Sequence, residues 1–266
     1  MRTLAACACA VLRAAEPAAK VALSREYAAL WRDGALEVGA GDEAPPDRPA
    51  RPERPELKAP RDMPRRRAGA SHAGRVALLH AVAHIELNAI DLAWDLIARF
   101  SSAMPREFSA DWVEVAAEEA KHFSLLAARL RQFGAAYGDL PAHDGLWEAA
   151  AATAHDLLAR LAVVPLVLEA RGLDVTPAMI LRMARFGDEE SAAVLQTILD
   201  DEVGHVAAGA RWFRFLCAAR SLDPAATYRA LVRENFRGTL KPPFNVPARA
   251  QAGLEPAFYD SLPLPP

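Results

Sequence analysis

The sequence has few of the residues that mark disulfide scaffolds or β-rich folds. It contains 3 cysteines in 266 residues, at Cys7, Cys9 and Cys217. They are too few and too scattered for a disulfide framework, which favours a reducing compartment. Aromatic residues make up only 7% of the chain, strand-type clusters of Val, Ile, Thr and Tyr are scarce, and alanine dominates. The composition therefore predicts an all-α protein of the cytoplasm.

The chain also has no excess of basic over acidic residues. The chain has 31 Lys and Arg against 34 Asp and Glu, a formal net charge of -3, which leaves no basic footprint for nucleic acid. No apolar run reaches the roughly 20 residues that cross a bilayer, so no membrane partner is expected. The opening residues MRTLAACACAVLRAAEPAAK have an alternative interpretation as a secretion signal. Their helical rhythm continues through Trp31, which favours a helix of the folded protein.

Composition divides the chain into three parts. Residues 1–70 comprise short amphipathic helices followed by a proline-dense stretch over 39–69, which is expected to be an extended tether. Residues 71–220 have strong helical periodicity and are expected to form a four-helix bundle. Residues 221–266 are expected to hold a short helix and an irregular tail on the surface.

Capping and terminating residues set the limits of the predicted helices in the central part. The first predicted helix covers 71–100, and the second runs from the N-cap Ser109 to Gly134. The third covers 146–171 and ends at Gly172. A short helix with Thr176 as its cap and Pro177 at its first position follows, and the last helix covers 188–220.

Each of the long predicted helices directs one glutamate along its apolar stripe. These are Glu86, Glu119, Glu169 and Glu202. In the second and fourth helices a histidine follows three residues later on the same face, as EEAKH and DEVGH contain Glu119 with His122 and Glu202 with His205. Glu86 precedes Glu119 by 33 residues, and Glu169 precedes Glu202 by the same 33.

Four carboxylates buried together would repel one another unless positive charge compensated them. A bare Glu on two helices and Glu-x-x-His on two others is the ligand pattern of ferritin-like dimetal bundles. Carboxylate and imidazole suit iron or manganese. The sequence therefore predicts two iron ions, with manganese as the alternative, held by Glu86, Glu119, His122, Glu169, Glu202 and His205.

Two neighbouring features have their own interpretations. His80 and His84 have the spacing of a metal-binding pair, but their polar face is expected to be solvated or packed against the tether. Pro165, one turn before Glu169, is expected to remove a backbone hydrogen bond and loosen the third helix, opening room for a substrate or oxygen.

Several segments also resemble a known family. They are HAVAHIELNAIDLAWD, FSADWVEVAAEEAKHFSLLAARL, YGDLPAHDGLW, RLAVVPLVLEARGLDVTP and ILDDEVGHVAAGARWF. They resemble the bacterial ferritin-like family known as domain-of-unknown-function family 455, which is similar in fold to di-iron tRNA hydroxylases. The resemblance covers nearly the whole chain and implies a ferritin-like bundle with a di-iron site, whereas it leaves the substrate open.

The expected function is a dioxygen-activating di-iron or di-manganese oxidase or hydroxylase of unidentified substrate. Its expected partners are dioxygen or peroxide and an electron-donor protein. The alternatives are metal handling without an organic substrate, as a ferroxidase or in peroxide removal, and a structural bundle with a vestigial site.

The appended helices, tether and tail argue against a storage cage, so a monomer or dimer is expected. A tRNA substrate rests on analogy alone, and the acidic balance leans against it.

Overall fold

A computed structural model of the chain describes residues 3–39, 41, 44–59, 62–63 and 71–260. Within these residues the structure is helical, and its β pairing is limited to isolated bridges between Thr3 and Glu37 and between Leu57 and Ala142. The all-α prediction is therefore confirmed. The chain divides into two compact units, Met1–Trp147 and Glu148–Pro266. The three-part division into 1–70, 71–220 and 221–266 stays a prediction.

The first unit is built on two long helices that pack against each other, α3 and α4 in chain order. Helix α3 spans His72–Phe100 and α4 spans Arg106–Gln132. Helix α3 starts where it was predicted, and Ser71 caps it, because its hydroxyl accepts the N–H of Gly74 at 3.2 Å. Gly134 follows the end of α4 with φ +69°, the left-handed conformation that suits glycine after a helix.

The start of α4 differs from the prediction. Pro105 occupies the N-cap position, and Ser109 lies inside the helix with its side chain buried. The backbone of Pro105 is extended, with φ -56° and ψ 154°, and Glu107 places an acid in the first turn. These residues favour an earlier start, since a first-turn acid interacts well with the helix dipole.

Two helices at the N-terminus share the core of this unit. Helix α1 spans Leu4–Arg13 and packs on α3, and α2 spans Pro17–Arg32 and packs mainly on α4. Residues 44–59 are non-helical, as the proline content predicts, and are fastened to the unit: the N–H of Ala50 donates to the carbonyl of Leu12 at 2.7 Å. Pro60 and Pro64 of the predicted tether lie outside the described residues.

The predicted helix over 146–171 is wrong in its continuity. Helix α5, Gly145–Ala152, ends before a turn, and Asp156 then caps α6, Leu157–Val163, by accepting the N–H groups of Leu158 and Ala159. A π-helical segment, Val164–Glu169, follows. The sequence contains a new cap at Asp156, so a separate helix begins there.

The predicted stop at Gly172 and the predicted separate helix at Pro177 are also wrong, because α7 runs over Ala170–Arg185 and includes both residues. Pro177 has no N–H to donate to the carbonyl of Leu173, four residues earlier. The side-chain amide of Asn245 donates to that carbonyl at 3.0 Å instead. The helix therefore tolerates an internal proline because a distant residue replaces the lost hydrogen bond.

The end of the second unit agrees with the sequence in part. Helix α8, Glu189–Ala219, and helix α9, Pro224–Asn235, begin at the caps Asp188 and Asp223, which confirms both helices. The tail is not irregular throughout, since it contains α10, Val246–Gln251, and α11, Pro256–Tyr259. The guanidinium of Arg249 anchors it by donating to both oxygens of Asp174, at 2.8 and 2.7 Å.

The segment His72–Ala103 is, among the described residues, long and apolar enough by composition to cross a membrane. However, 78% of its most apolar part is buried inside the protein. Burial of this kind is typical of a core helix and fits a soluble protein. Its location in the cytoplasm stays a prediction.

Candidate metal centre

Three of the predicted ligands meet in the first unit, where α3 packs against α4. The Nδ1 atom of His122 lies 3.2 Å from Oε2 of Glu86 and 3.4 Å from Oε2 of Glu119. One potential ligand atom of each residue lies within 4.8 Å of the others. All three side chains are buried, Glu119 and His122 completely. We call Glu86, Glu119 and His122 the first ligand set.

Charge and burial make the first ligand set hold protons tightly. Burial and the neighbouring Glu119 raise the pKa of Glu86 to about 8, against the hydrogen bond from His122, which lowers it. Burial lowers the pKa of His122, but hydrogen bonds to Glu119 and Glu86 outweigh burial and raise this pKa to about 11. A bound cation would take the place of these protons, because metal ligands bind in their deprotonated forms.

The donor atoms of the first ligand set fit a metal ion. Two carboxylates and one imidazole are hard oxygen and intermediate nitrogen donors, which suit iron, manganese or zinc better than thiolate-seeking metals. Their closeness in a buried position is costly without positive charge beside them. This cluster is therefore a buried Glu/His group that could hold a metal ion.

The other three predicted ligands lie in the second unit, and we call Glu169, Glu202 and His205 the second ligand set. Glu202 and His205 lie on α8 and are buried, with Oε2 and Nδ1 3.7 Å apart. Glu169 is the last residue of the π-helical segment and is half-buried. Within the described part of this unit, these three do not form a close group of the kind found in the first unit.

The π-helical segment confirms that the third predicted helix is irregular at Pro165, whereas the room for a substrate or oxygen stays a prediction. Pro165 lies in its first turn and packs directly on α8 at Gly209, where an added Cβ would lie 2.5 Å from Cβ and 2.8 Å from Cγ of the proline. Only glycine fits such a close approach. At Gly172, by contrast, an added Cβ would lie 4.0 Å from Cδ of Glu202, an ordinary contact. Segments of π-helix occur frequently at functional sites.

The comparisons with other proteins agree with the resemblance drawn from the sequence. The model of the family described as "Protein of unknown function (DUF455)" matches residues 13–260. The chain belongs to the DUF455 family. An "Uncharacterized protein" of Haemophilus influenzae (strain ATCC 51907 / DSM 11121 / KW20 / Rd) is 45% identical over 209 residues, which are 76% of this chain and 72% of that protein. No solved structure matches the chain. The family is confirmed, and a ferritin-like relationship stays a prediction.

In this DUF455 protein the polar face of α3 is buried, so the expectation that it is solvated is wrong. His84 contacts protein groups with both ring nitrogens: Nδ1 lies 2.8 Å from the hydroxyl of Tyr137, and Nε2 lies 3.0 Å from the carbonyl of His143. Burial lowers the pKa of His84 to about 4. His80 accepts the N–H of Gly138 at 2.9 Å. Both histidines therefore have structural contacts.

The alternative expectation, packing against the proline-dense stretch, is confirmed by Arg51. Its guanidinium donates to Oδ1 of Asn88 at 2.6 Å and lies 3.2 Å from Oδ2 of Asp91. Lys20 of α2 contacts the other oxygen of Asp91 at 2.5 Å, and both side chains are completely buried. This network was not predicted from the sequence, although a lysine among the apolar residues of α2 indicates a buried partner for its charge.

Proposed function

We propose that this DUF455 protein is a dioxygen-activating dimetal oxidase or hydroxylase built on a ferritin-like four-helix bundle. The observation that carries the proposal is the buried first ligand set, Glu86, Glu119 and His122. The repetition of its sequence pattern by the second ligand set supports a second metal ion, because dimetal bundles use this pattern twice. The helices of the proposed bundle are α3, α4, α8, and α6 with the π-helical segment.

Each ligand has a distinct proposed role. Glu119 with His122 and Glu202 with His205 would each hold an ion, and Glu86 and Glu169 would complete the two ligand sets. Iron is the favoured metal, and manganese uses the same donors. When bound, two such ions supply two-electron exchange with dioxygen or peroxide.

The protein's own contribution is to hold charge and exclude water around the first ligand set. The burial of Glu86, Glu119 and His122 keeps bulk solvent away from the ligand atoms. A dry site strengthens every electrostatic interaction inside it. The pKa of the Glu86 carboxyl is raised. When Glu86 does not bind a metal ion, its carboxyl would therefore hold a proton near neutral pH.

The alternative function, metal handling without an organic substrate, predicts a different assembly. A storage cage needs a free outer surface for packing between subunits, whereas α1, α2 and residues 44–59 cover parts of the first unit. This coverage supports an enzyme that is a monomer or dimer. The electron-donor protein stays part of the proposal, since the reduction of dioxygen requires electrons. Light scattering distinguishes the two, because a cage contains many subunits.

Metal loading tests the proposal. Protein reconstituted anaerobically with ferrous iron is expected to bind about two ions per chain. The double variant His122→Ala/His205→Ala is expected to bind none. His155→Ala is the matched control, because His155 is exposed and lies outside both ligand sets, and it should load like the unchanged protein. A wild-type chain that binds no iron would overturn the proposal.

Oxygen consumption tests the reaction class. Iron-loaded protein freed of unbound iron is supplied with dioxygen, a chemical reductant and a chelator of free iron. An oxidase keeps its ions and continues to consume dioxygen, because the reductant returns them to the ferrous state. A ferroxidase releases its ferric product to the chelator, so its oxygen consumption stops. The first result supports the oxidase, and the second supports metal handling.

A further inference from the structure

The first unit contains a feature that the metal proposal does not use, an open groove of about 500 Å³. It lies between the start of α2 and the last turns of α4, and the segment after α4 closes one side. Its volume falls within the range of small-molecule sites. None of the six proposed metal ligands lines it.

The floor of the groove is apolar. Val21, Phe123, Ala127 and Tyr137 contribute to it. The rings of Phe123 and Tyr137 meet edge to face, with centroids 5.3 Å apart. The hydroxyl of Tyr137 is occupied by His84 at 2.8 Å, and His84 is not among the groove residues. The ring of Tyr137 therefore faces the groove, and its hydrogen bond to His84 fixes this part of the apolar floor.

The rim of the groove is basic. Arg25 and Arg131 are both exposed at the groove, on α2 and α4 respectively, and Glu16 is the single acid among the lining residues. Arg25 donates through Nη2 to the hydroxyl of Ser124 at 3.0 Å, a contact that fixes its guanidinium beside α4. Arginine forks bind carboxylate and phosphate groups with paired hydrogen bonds.

We propose that this groove binds an organic anion with an apolar body. The apolar chain or ring would lie on Val21, Phe123 and Ala127, and the anionic headgroup would be held by Arg25 and Arg131. A carboxylate and a phosphate share this chemistry. The proposal does not rest on the dimetal function, because each side chain that carries it lies outside the ligand sets.

Isothermal titration calorimetry tests the proposal on metal-free and iron-loaded protein. The probes are octanoate, octyl phosphate, octanol and acetate. Octanoate or octyl phosphate is expected to bind at one site per chain, and the tighter of the two identifies the headgroup. Octanol should bind at least tenfold more weakly, and acetate should not bind. Equal binding of octanol, or equal binding of acetate, would overturn the proposal. Binding to the metal-free protein separates this result from the outcome for the metal site.

Variants locate the binding site. Arg25→Gln and Arg131→Gln are each expected to weaken octanoate or octyl phosphate binding at least fivefold, and both residues are exposed, so the fold should persist. Arg185→Gln is the matched control, since Arg185 is an exposed arginine of α7 in the other unit, and should change nothing. Ala127→Trp should fill the groove and abolish binding. Wild-type affinity in both groove arginine variants would contradict the assignment, whatever the tryptophan variant does.

Discussion

The two ligand sets have the same pattern in the sequence, but different backbones hold them. Glu86 and Glu119 come from the regular helices α3 and α4, and their carboxylates converge on one histidine. Glu169 ends a π-helical segment and is half-buried, and Glu202 lies 3.7 Å from His205. The comparison teaches that Glu-x-x-His spacing determines which face of a helix carries the ligands, whereas local packing determines how tightly they are held.

The two ligand sets also differ in the structure that surrounds them. On the far side of α3 a buried ion pair, Lys20 with Asp91, ties the first unit together. In the second unit Pro165 lies close to Gly209, within an irregular stretch of backbone that ends at Glu169. We infer that the first set is preorganised on regular helices, whereas Glu169 is held by an irregular backbone.

The largest expected effect is on the stability of the first unit. Asp91→Ala removes the shared partner of Lys20 and Arg51 and leaves buried positive charge, which should cost about 3–5 kcal/mol in the free energy of unfolding. Glu114→Ala breaks the exposed pair with Arg32 and should cost less than about 1 kcal/mol. Urea denaturation measures both. Similar losses of unfolding free energy in the two variants would show that the buried network stabilises the protein no more than an exposed ion pair does.

The next effect concerns the packing that supports the second set. Gly209→Ala should destabilise the protein by about 1–3 kcal/mol, because its Cβ would overlap the ring of Pro165. Gly204 lies in the same helix, and an added Cβ there would meet open space. Gly204→Ala should therefore stabilise the protein by about 1 kcal/mol, because alanine has the higher helix propensity. Changes of the same sign in thermal unfolding would contradict the close contact.

A smaller effect is expected from Pro165→Ala. The new N–H allows a regular α-helix and should restrict Glu169, since proline removes a hydrogen bond at this point. The rate at which dioxygen oxidises the iron-loaded protein is expected to change severalfold, while the number of bound ions stays at about two. Stopped-flow absorption measures this rate, and unchanged kinetics would count against a mobile second set.

The smallest effect is a change in melting temperature with pH. The folded-state pKa values of Glu86, about 8, and His122, about 11, lie above their ordinary values. The folded protein thus binds more protons than the unfolded chain, so the metal-free protein should lose stability as pH rises from about 5 to 8. We expect a decrease of a few degrees. Iron should stabilise increasingly over the same range, because its ligands must lose protons. Parallel trends with and without iron would contradict this view of the first set.

Local signals were sufficient to predict much of the fold. The sequence pattern placed the starts of α3 and α8 near residues 71 and 188 correctly, and Ser71 and Asp188 cap these helices. Helix α7 could not be predicted in this way. Its passage through Pro177 depends on Asn245, which lies far along the chain.

The same distinction applies to the candidate site. Helical spacing predicted that Glu86, Glu119 and His122 are buried, and the structure brings these three together. The partners of the polar face of α3 could not be identified from the sequence, because Lys20 and Arg51 come from distant segments. Nothing in the local pattern around Asp91 identifies either of them.

The most direct test of the central claim is anomalous diffraction from crystals of iron-loaded protein. We predict two metal ions, one bound by Glu86, Glu119 and His122 and the other by Glu169, Glu202 and His205. Absence of anomalous density at both ligand sets, or metal bound only by other residues, would contradict the account.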